Sequence, residues 1–489
     1  MSDEAKLWGG RFQSPVDSGI HRYTEALSFD RRLARHDLIG SLAHARMLLE
    51  QGVLERADAC TILEGLGSLL LDLEAGTLVV EGDDEDTHSW IERKLGERIG
   101  ESAGRLHTGR SRNDQTGTCL RLYVREALVH IGQRGCLLQA ELMDRSRGHL
   151  ETWLPGYTHL QRGQPVSLAH HLLAHFWALD ADAERLRRAW SSAGTSPLGA
   201  AALAGSPHAI DPERSAELLG MERAYPNSML AVADRDYVLE AAFACSVLML
   251  HLSRWATEVI LWTGSEFGFA VLDDSVAKGS SIMPQKRNPE AAEILRGKTG
   301  RVVGDLMALH TVLKGLPLTY NSDLQEDKES LFDALDTAAA SLGCASSILA
   351  GLRFRADRMS AALVGGFLTA TDLADYLVRH GTPFRSAHHQ SGLVVQLAEN
   401  KGCELWELQV GEIRDVCPAA EDDVLECLSP EGSVRAHSSF GGPAPVRVAE
   451  QLEAADAALL SSKGWIDGLR DLPIYGAFKS GTLTAESLV

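Results

Sequence analysis

Gly279-Ser280-Ser281-Ile282-Met283-Pro284-Gln285-Lys286-Arg287-Asn288-Pro289-Glu290 interrupts the helical patterning on both sides of it. A Gly-Ser-Ser turn, a proline and two cations read as a loop, because glycine and proline punctuate periodic structure. The loop runs into a helix start. Asn288 suits an N-cap, Pro289 the first helical position, and Glu290 the first turn, where the dipole favours an anion. A helix N-terminus is electropositive and presents N–H groups without helical partners. With the hydroxyls of Ser280 and Ser281 and the ammonium of Lys286, the stretch is equipped to hold a carboxylate and to stabilise developing negative charge. The same composition suits a solvated Ser/Lys loop, and the stretch alone leaves both readings open.

Outward from this loop the chain reads as helices. Residues 121–147, 234–264, 289–315 and 327–352 are long runs with few breakers, beyond the usual globular length of about 10–14 residues. Such helices predict a bundle whose apolar stripes are buried against other helices or subunits. Upstream, Leu38, Leu42, Ala45 and Leu49 recur at helical spacing, as do Ile62, Leu66, Leu69, Leu70 and Leu73. Ser89 and Glu92 fit a capping box that opens a further helix. After residue 361, glycine and proline become more frequent, helices shorten, and 478–489 reads as a polar tail. The expected fold is all-α, with three helical domains over 1–112, 113–360 and 361–489 and a central long-helix bundle. No strand–helix alternation is visible, so no parallel sheet is expected.

Composition narrows the function classes. The chain has 489 residues and a formal net charge of -20, which argues against nucleic acid or an anionic membrane as the main partner. A local cluster of Arg and Lys still suffices for a small anion. The 8 cysteines form no C-x-x-C pair and no zinc-finger spacing. They read as free thiols in a reducing, cytoplasmic setting, and no metal or cofactor is expected. The start, Met-Ser-Asp-Glu-Ala-Lys, shows no apolar signal region. The apolar run 241–253 is shorter than the roughly 20 residues that a membrane span needs.

Three more stretches carry polar chemistry. Leu106-His107-Thr108-Gly109-Arg110-Ser111-Arg112-Asn113-Asp114-Gln115-Thr116 packs arginines, hydroxyls and an amide ahead of a helix. It suits either a capping loop or a polyanion site, with Arg112 as carboxylate fork and Asn113 as donor and acceptor. Gly156-Tyr157-Thr158-His159-Leu160-Gln161-Arg162-Gly163-Gln164-Pro165-Val166-Ser167 sets His159 between Pro155 and Pro165. That histidine is either a structural hydrogen-bonder or a proton-transfer group. Leu318-Thr319-Tyr320-Asn321-Ser322-Asp323-Leu324-Gln325-Glu326-Asp327-Lys328-Glu329 reads as a charged helix entry or as a pocket wall built from Tyr320, Gln325 and Lys328.

The loop 279–288 resembles the signature G-S-S-x-M-P-x-K-x-N of the fumarase/aspartase superfamily at every specified position, and the other stretches follow in that superfamily's order. Within it, the forms of Leu7-Trp8-Gly9-Gly10-Arg11-Phe12, Glu85-Asp86-Thr87-His88, His107 to Asp114 and Leu318 to Lys328 are similar to those of the argininosuccinate lyase family. The resemblance implies cleavage of argininosuccinate to arginine and fumarate, in arginine biosynthesis, by a homotetramer whose sites form where three subunits meet. It implies that Ser281 removes a proton beside a carboxylate. His159 would move a proton to the leaving nitrogen, oriented by Glu293. Lys286 and Asn288 would stabilise the carbanion-like intermediate. Asn113, Thr158, Tyr320, Gln325 and Lys328 would hold the substrate, together with Arg112, His88 and Asp86. One position departs: where the family commonly has a serine substrate contact, this chain has Ala26. Lens delta-crystallins resemble the same family and can lack activity, so a structural role is the rival from another class.

Overall fold

The computed structural model describes residues 17–469 and 472–482. The motif at 7–12 and the tail from 483 on lie outside the described residues. The N-terminal part packs three helices, α1 (Ala34–Glu50), α2 (Arg56–Glu74) and α3 (Thr87–Ile99), around Leu38, Leu42, Ile62, Leu66, Leu70 and Trp90. These apolar positions recur three or four apart, which places them on one face of each helix. The start of α3 differs from the expected capping box at Ser89 and Glu92. Asp86 is the cap, accepting a hydrogen bond from the Ser89 N–H at 2.7 Å. A carboxylate here accepts from the first-turn N–H and suits the helix dipole, so the helix starts from a cap three residues before Ser89.

Five long helices form the centre: α4 (Arg112–Arg147), α5 (Leu168–Ser192), α6 (Asp236–Thr263), α7 (Glu290–Leu313) and α8 (Asp327–Ala350). Four of them match the long runs read from sequence, and α5 is the one added by the structure. The 28-residue α6 contains neither Gly nor Pro and is long and apolar enough to cross a membrane by length and composition. It is instead the inner helix of the bundle, with Tyr237, Ala241, Cys245, Leu248 and Leu252 buried against α5, α7 and α8. Each such leucine contributes about 1.5–3 kcal/mol by leaving water.

Side-chain contacts fix the helix directions. Tyr123 packs edge-on against Phe332, and Arg145 donates to the carbonyls of Leu349 and Ala350, so α4 and α8 run parallel. Arg121 donates to the Ser192 carbonyl, which sets α5 antiparallel to α4. His251 meets Asp182 while His171 meets Glu258, so α6 is antiparallel to α5. Ile294 and Leu295 share a cavity with Ser341 and Cys344, whereas Arg301 pairs with Asp333, so α7 is antiparallel to α8. One end of the bundle therefore gathers the starts of α4, α6 and α8. The other gathers their ends and the starts of α5 and α7. The 24 residues of α8 alone separate the two by roughly 36 Å.

Among the described residues, short strands appear only at connections. β1 (Trp153–Thr158) and β2 (Gln161–Ser167) form an antiparallel hairpin between α4 and α5. β3 (Ala270–Leu272) pairs with β4 (Leu352–Phe354), and Thr195–Ser196 makes a two-residue parallel pair with Arg223–Ala224. The segment expected as a third domain, 361–489, divides among three environments. Helices α9 (Ala370–Arg379) and α10 (Phe384–Lys401) enclose a small core with Leu377, Val394, Ile413 and Leu428. Helix α11 (Pro445–Gly468) packs Val448, Ala455 and Leu459 onto Met143, Leu173 and Phe176 of the central bundle. Ile474 and Tyr475 return to the N-terminal core, so the described part of the expected tail begins in a packed helix, Pro473–Lys479.

Candidate active site

At one end of the bundle most of the predicted substrate-holding groups converge on a buried ionic lattice. Asp86, beyond capping α3, accepts from the Arg112 guanidinium at the start of α4. Arg112 is thus already committed to a carboxylate of its own chain. Asn113, one residue on, donates its amide to the Ala202 carbonyl at 3.0 Å. Ser111 caps α4, and Asp114 completes the capping box, which explains why the polar loop stops where it does. His88 is buried and bridges Asp37, 2.9 Å from Nδ1, and Thr116, 2.9 Å from Nε2. Burial opposes its protonation, but the Asp37 carboxylate beside it wins and raises its pKa.

Across from these groups lies the entry to α8. Asp327 is 1% exposed and accepts from both Arg235 and Lys328, the latter at 3.0 Å. Burial works against its ionisation, yet the two cations hold its carboxyl below the usual carboxylate range. Lys328 is 3% exposed, a burial that its Asp327 partner makes tolerable. Tyr320 is half-buried, and burial together with the Asp327 charge pushes its hydroxyl up, against the pull of Arg235 and of Gln325. The Asp86 carboxylate also acts on Tyr320, and the Lys328 ammonium acts on Asp30. The α3–α4 groups and the α8 groups therefore belong to one electrostatic cluster. Ala26, the position that departs from the family pattern, borders the same cluster through its N–H bond to the Glu85 carbonyl at 2.8 Å.

The predicted proton-transfer groups lie at the opposite end. Pro155 and Pro165 do not merely bracket His159: they face each other in the β1–β2 ladder. Thr158 pairs with Gln161, leaving His159 and Leu160 as a two-residue turn with φ of 54° and 58°. Left-handed backbone at two consecutive residues is the type I′ geometry that suits a right-twisted hairpin. Asparagine and glycine usually occupy it, and here the strain presents His159 to solvent at the tip. Leu160 beside it is 67% exposed.

The loop Gly279 to Asn288 sits at the start of α7. Its base is closed by a backbone pair between Lys278 and Asn288, at 2.8 and 3.0 Å. That pair uses the Asn288 backbone, so α7 starts at Glu290 with Pro289 as the flanking residue, one position later than the expected cap. Ser280 accepts from the N–H groups of Ile282 and Met283, 3.4 and 3.1 Å away, in a local turn. Ser281 and Lys286 are exposed on the same loop, and Glu293 is exposed in the first turns of α7. The fold thus brings Asp86, His88, Arg112, Asn113, Tyr320, Gln325 and Lys328 together. It collects Thr158, His159, Ser281, Lys286, Asn288 and Glu293 at the other end.

Sequence reading missed Asp37, Thr116, Arg235 and Asp327, which orient the groups it did find. Asp327 had a visible signal, its place beside Lys328 in a charged run, and Thr116 closed the polar stretch at 106–116. Among the described residues, two donor groups also form that cysteine spacing did not announce: Asp37, His88 and Cys119, all buried, and His171, His175 and Glu258. No metal was expected from the sequence; these groups form where packing joins different helices, Asp37, His88 and Cys119 from three of them and Glu258 of α6 beside His171 and His175 of α5.

A family model described as "Lyase" matches residues 10–304, and one described as "Argininosuccinate lyase C-terminal" matches 367–435. The chain is 48% identical over 458 residues to "Argininosuccinate lyase" of Symbiobacterium thermophilum, covering 94% of this chain and 99% of that protein. It is also 48% identical to the protein of that name from Nitratidesulfovibrio vulgaris, over 93% of this chain and 99% of the other. The chain belongs to the argininosuccinate lyase family. As a family member it is a lyase of the fumarase/aspartase superfamily. The structure of "EDDS lyase in complex with formate" superposes with a TM-score of 0.81 at 29% identity, covering 97% of this chain and 96% of that one. Recombinant class II fumarase from Schistosoma mansoni shares the fold, with a TM-score of 0.69 at 16% identity over 82% of this chain and 92% of its own.

Proposed function

We propose that this chain cleaves argininosuccinate reversibly to arginine and fumarate, as a step of arginine biosynthesis, with Ser281 as the base. The observation that carries this reading is the loop from 279 to 288. Ser281 and Lys286 are exposed on it, whereas the neighbouring Ser280 hydroxyl is held in a local turn. The proton to be removed sits beside a carboxylate that takes up a second negative charge. The chief catalytic need is therefore cationic and N–H donors around that carboxylate. Lys286, Asn288 and the N–H groups of the loop are of that kind. A serine is a poor base at its free pKa, so Lys286 and exclusion of water assist it. His159 delivers the proton to the leaving guanidinium nitrogen, and Glu293 orients His159. Asp86, His88, Arg112, Asn113, Thr158, Tyr320, Gln325 and Lys328 hold the substrate, with the lattice around Asp327 fixing the last of them.

The separation of the two sets supports an assembled site: one chain keeps them at opposite ends of a bundle, and loops from other copies complete the site in this reading. Phe243, Leu250, Ile294 and Met307 expose apolar surface on α6 and α7, which suits helix packing between subunits of a homotetramer. The eight cysteines are free thiols, which supports a reducing, cytoplasmic setting. Incubation with argininosuccinate, followed by the ultraviolet absorbance of fumarate, tests the proposal. Fumarate release without added metal, and unaffected by a chelator, is the expected result. Release from adenylosuccinate or malate but not from argininosuccinate would overturn it.

A further inference from the structure

His171 and His175 lie one helical turn apart on α5, and Glu258 reaches across from α6. Both Nε2 atoms point at one carboxylate oxygen, at 2.7 and 2.8 Å. The three donor atoms lie within 4.8 Å of one another, and the side chains keep 25, 18 and 37% exposure. None of these residues has a part in the proposed reaction. We propose that His171, His175 and Glu258 form a binding site for one divalent transition-metal ion, of the zinc or cobalt class, that clips α5 to α6.

The chemistry of the donor set fits that class. Two imidazoles at i and i+4 present their nitrogens on one helix face, and two His with one Glu is a known zinc ligand set that leaves a position for water. Metal–nitrogen and metal–oxygen bonds of about 2.0–2.2 Å in a tetrahedron need donors about 3.3 Å apart. The observed spacing of 2.7 and 2.8 Å opens to that value by small side-chain rotations. Borderline imidazole and one carboxylate favour zinc or cobalt over magnesium or calcium, which prefer all-oxygen cages. Coordination through Nε2 places the remaining ring proton on Nδ1, and any second ring proton leaves to solvent. Asp37, His88 and Cys119 form no comparable site. They are fully buried, and the His88 ring already bridges Asp37 and Thr116.

The clip has a mechanical consequence. His171 lies four residues beyond Ser167, where the hairpin carrying His159 ends and α5 begins. An ion here fastens the base of that hairpin to α6.

Full-length protein, dialysed against chelator, is titrated with zinc by calorimetry and with cobalt by visible absorption. The expected result is one saturable ion per chain, cobalt bands of a four-coordinate site, and a Tm that rises with either ion. His175→Gln should weaken binding by more than the roughly 10–100-fold that loss of a supporting outer-shell group costs, with lyase turnover retained. Glu258→Gln is the second variant, read the same way if the first folds poorly. Absence of saturable binding to the parent protein overturns the proposal. So does binding that persists unchanged in both variants, which would place the ion on the free cysteines or elsewhere.

Discussion

The two ends of the central bundle are built on opposite principles. At one, most of the groups proposed to hold the substrate are fixed before any ligand arrives: Lys328 and Arg235 share the buried Asp327, Arg112 is tied to Asp86, and His88 is held between Asp37 and Thr116. At the other, Ser281, Lys286 and His159 stand exposed on a loop and on a two-residue turn. Helices and ion pairs suit groups that must grip one shape, because ordering them beforehand lowers the entropic cost of binding. Loops suit groups that meet their substrate only when another surface closes over them. The contrast fits the proposed assembly, in which another copy of the chain supplies the dry environment that loops this exposed lack.

The comparison is broken most severely at Ser281. Ser281→Ala should lower kcat by about 10²–10⁴-fold or more while substrate Kd stays within a few fold, because the gripping groups are untouched. Single-turnover kinetics with equilibrium binding separates the two quantities, and a variant keeping above about a tenth of the parent kcat would reassign the base. At the other end, Arg235→Leu should destabilise the fold by about 3–5 kcal/mol, because it leaves Asp327 and Lys328 buried with one cation missing. Urea unfolding measures this, and a loss below about 1 kcal/mol, the worth of an exposed pair, would remove the lattice from the account.

A smaller effect depends on pH. Burial raises the Asp30 carboxyl to about 6 in the folded chain, although Thr87, His88 and Lys328 partly offset it. A folded pKa above the unfolded one means that the native state binds the proton more tightly. Stability from this group is therefore present below about pH 4 and is lost as pH rises through about 6, by at most about 3 kcal/mol. Asp30→Asn should flatten that decline when urea unfolding is compared at the two pH values. An unchanged slope would show that Asp30 does not feel the cluster. The smallest effect is expected at Ala26. Ala26→Ser adds a hydroxyl beside Glu85 and should lower KM by less than tenfold, about the worth of one hydrogen bond, with kcat unchanged.

Much of this was legible in the sequence, for specific reasons. The long helices announced themselves because 28 residues without Gly or Pro, as in α6, leave the chain few alternatives. The polar stretches at 106–116, 156–167, 279–290 and 318–329 stood out as breaks in that pattern. What stayed hidden depends on which helices become neighbours. Asp37 is an ordinary acid in α1 until the fold sets it against His88, and Arg235 gains its meaning from Asp327, 92 positions away. The hairpin was hidden for another reason: Pro155 and Pro165 look like helix breakers, and only the register shows them paired across a ladder. Helix α11 escaped the domain division because composition says nothing about which core an amphipathic helix will join.

The split of the site between opposite ends is tested most directly by mixing two inactive proteins. Ser281→Ala damages only the loop end, and Lys328→Ala only the gripping end. Separately purified, each should show little fumarate release from argininosuccinate. Unfolded together and refolded, or co-expressed with distinct tags and isolated as hybrids, they should regain readily measured turnover, because some sites draw an intact loop from one chain and intact gripping residues from another. Hybrids as inactive as their parents, with assembly verified by light scattering, would contradict the account and put all the reacting groups in a single chain.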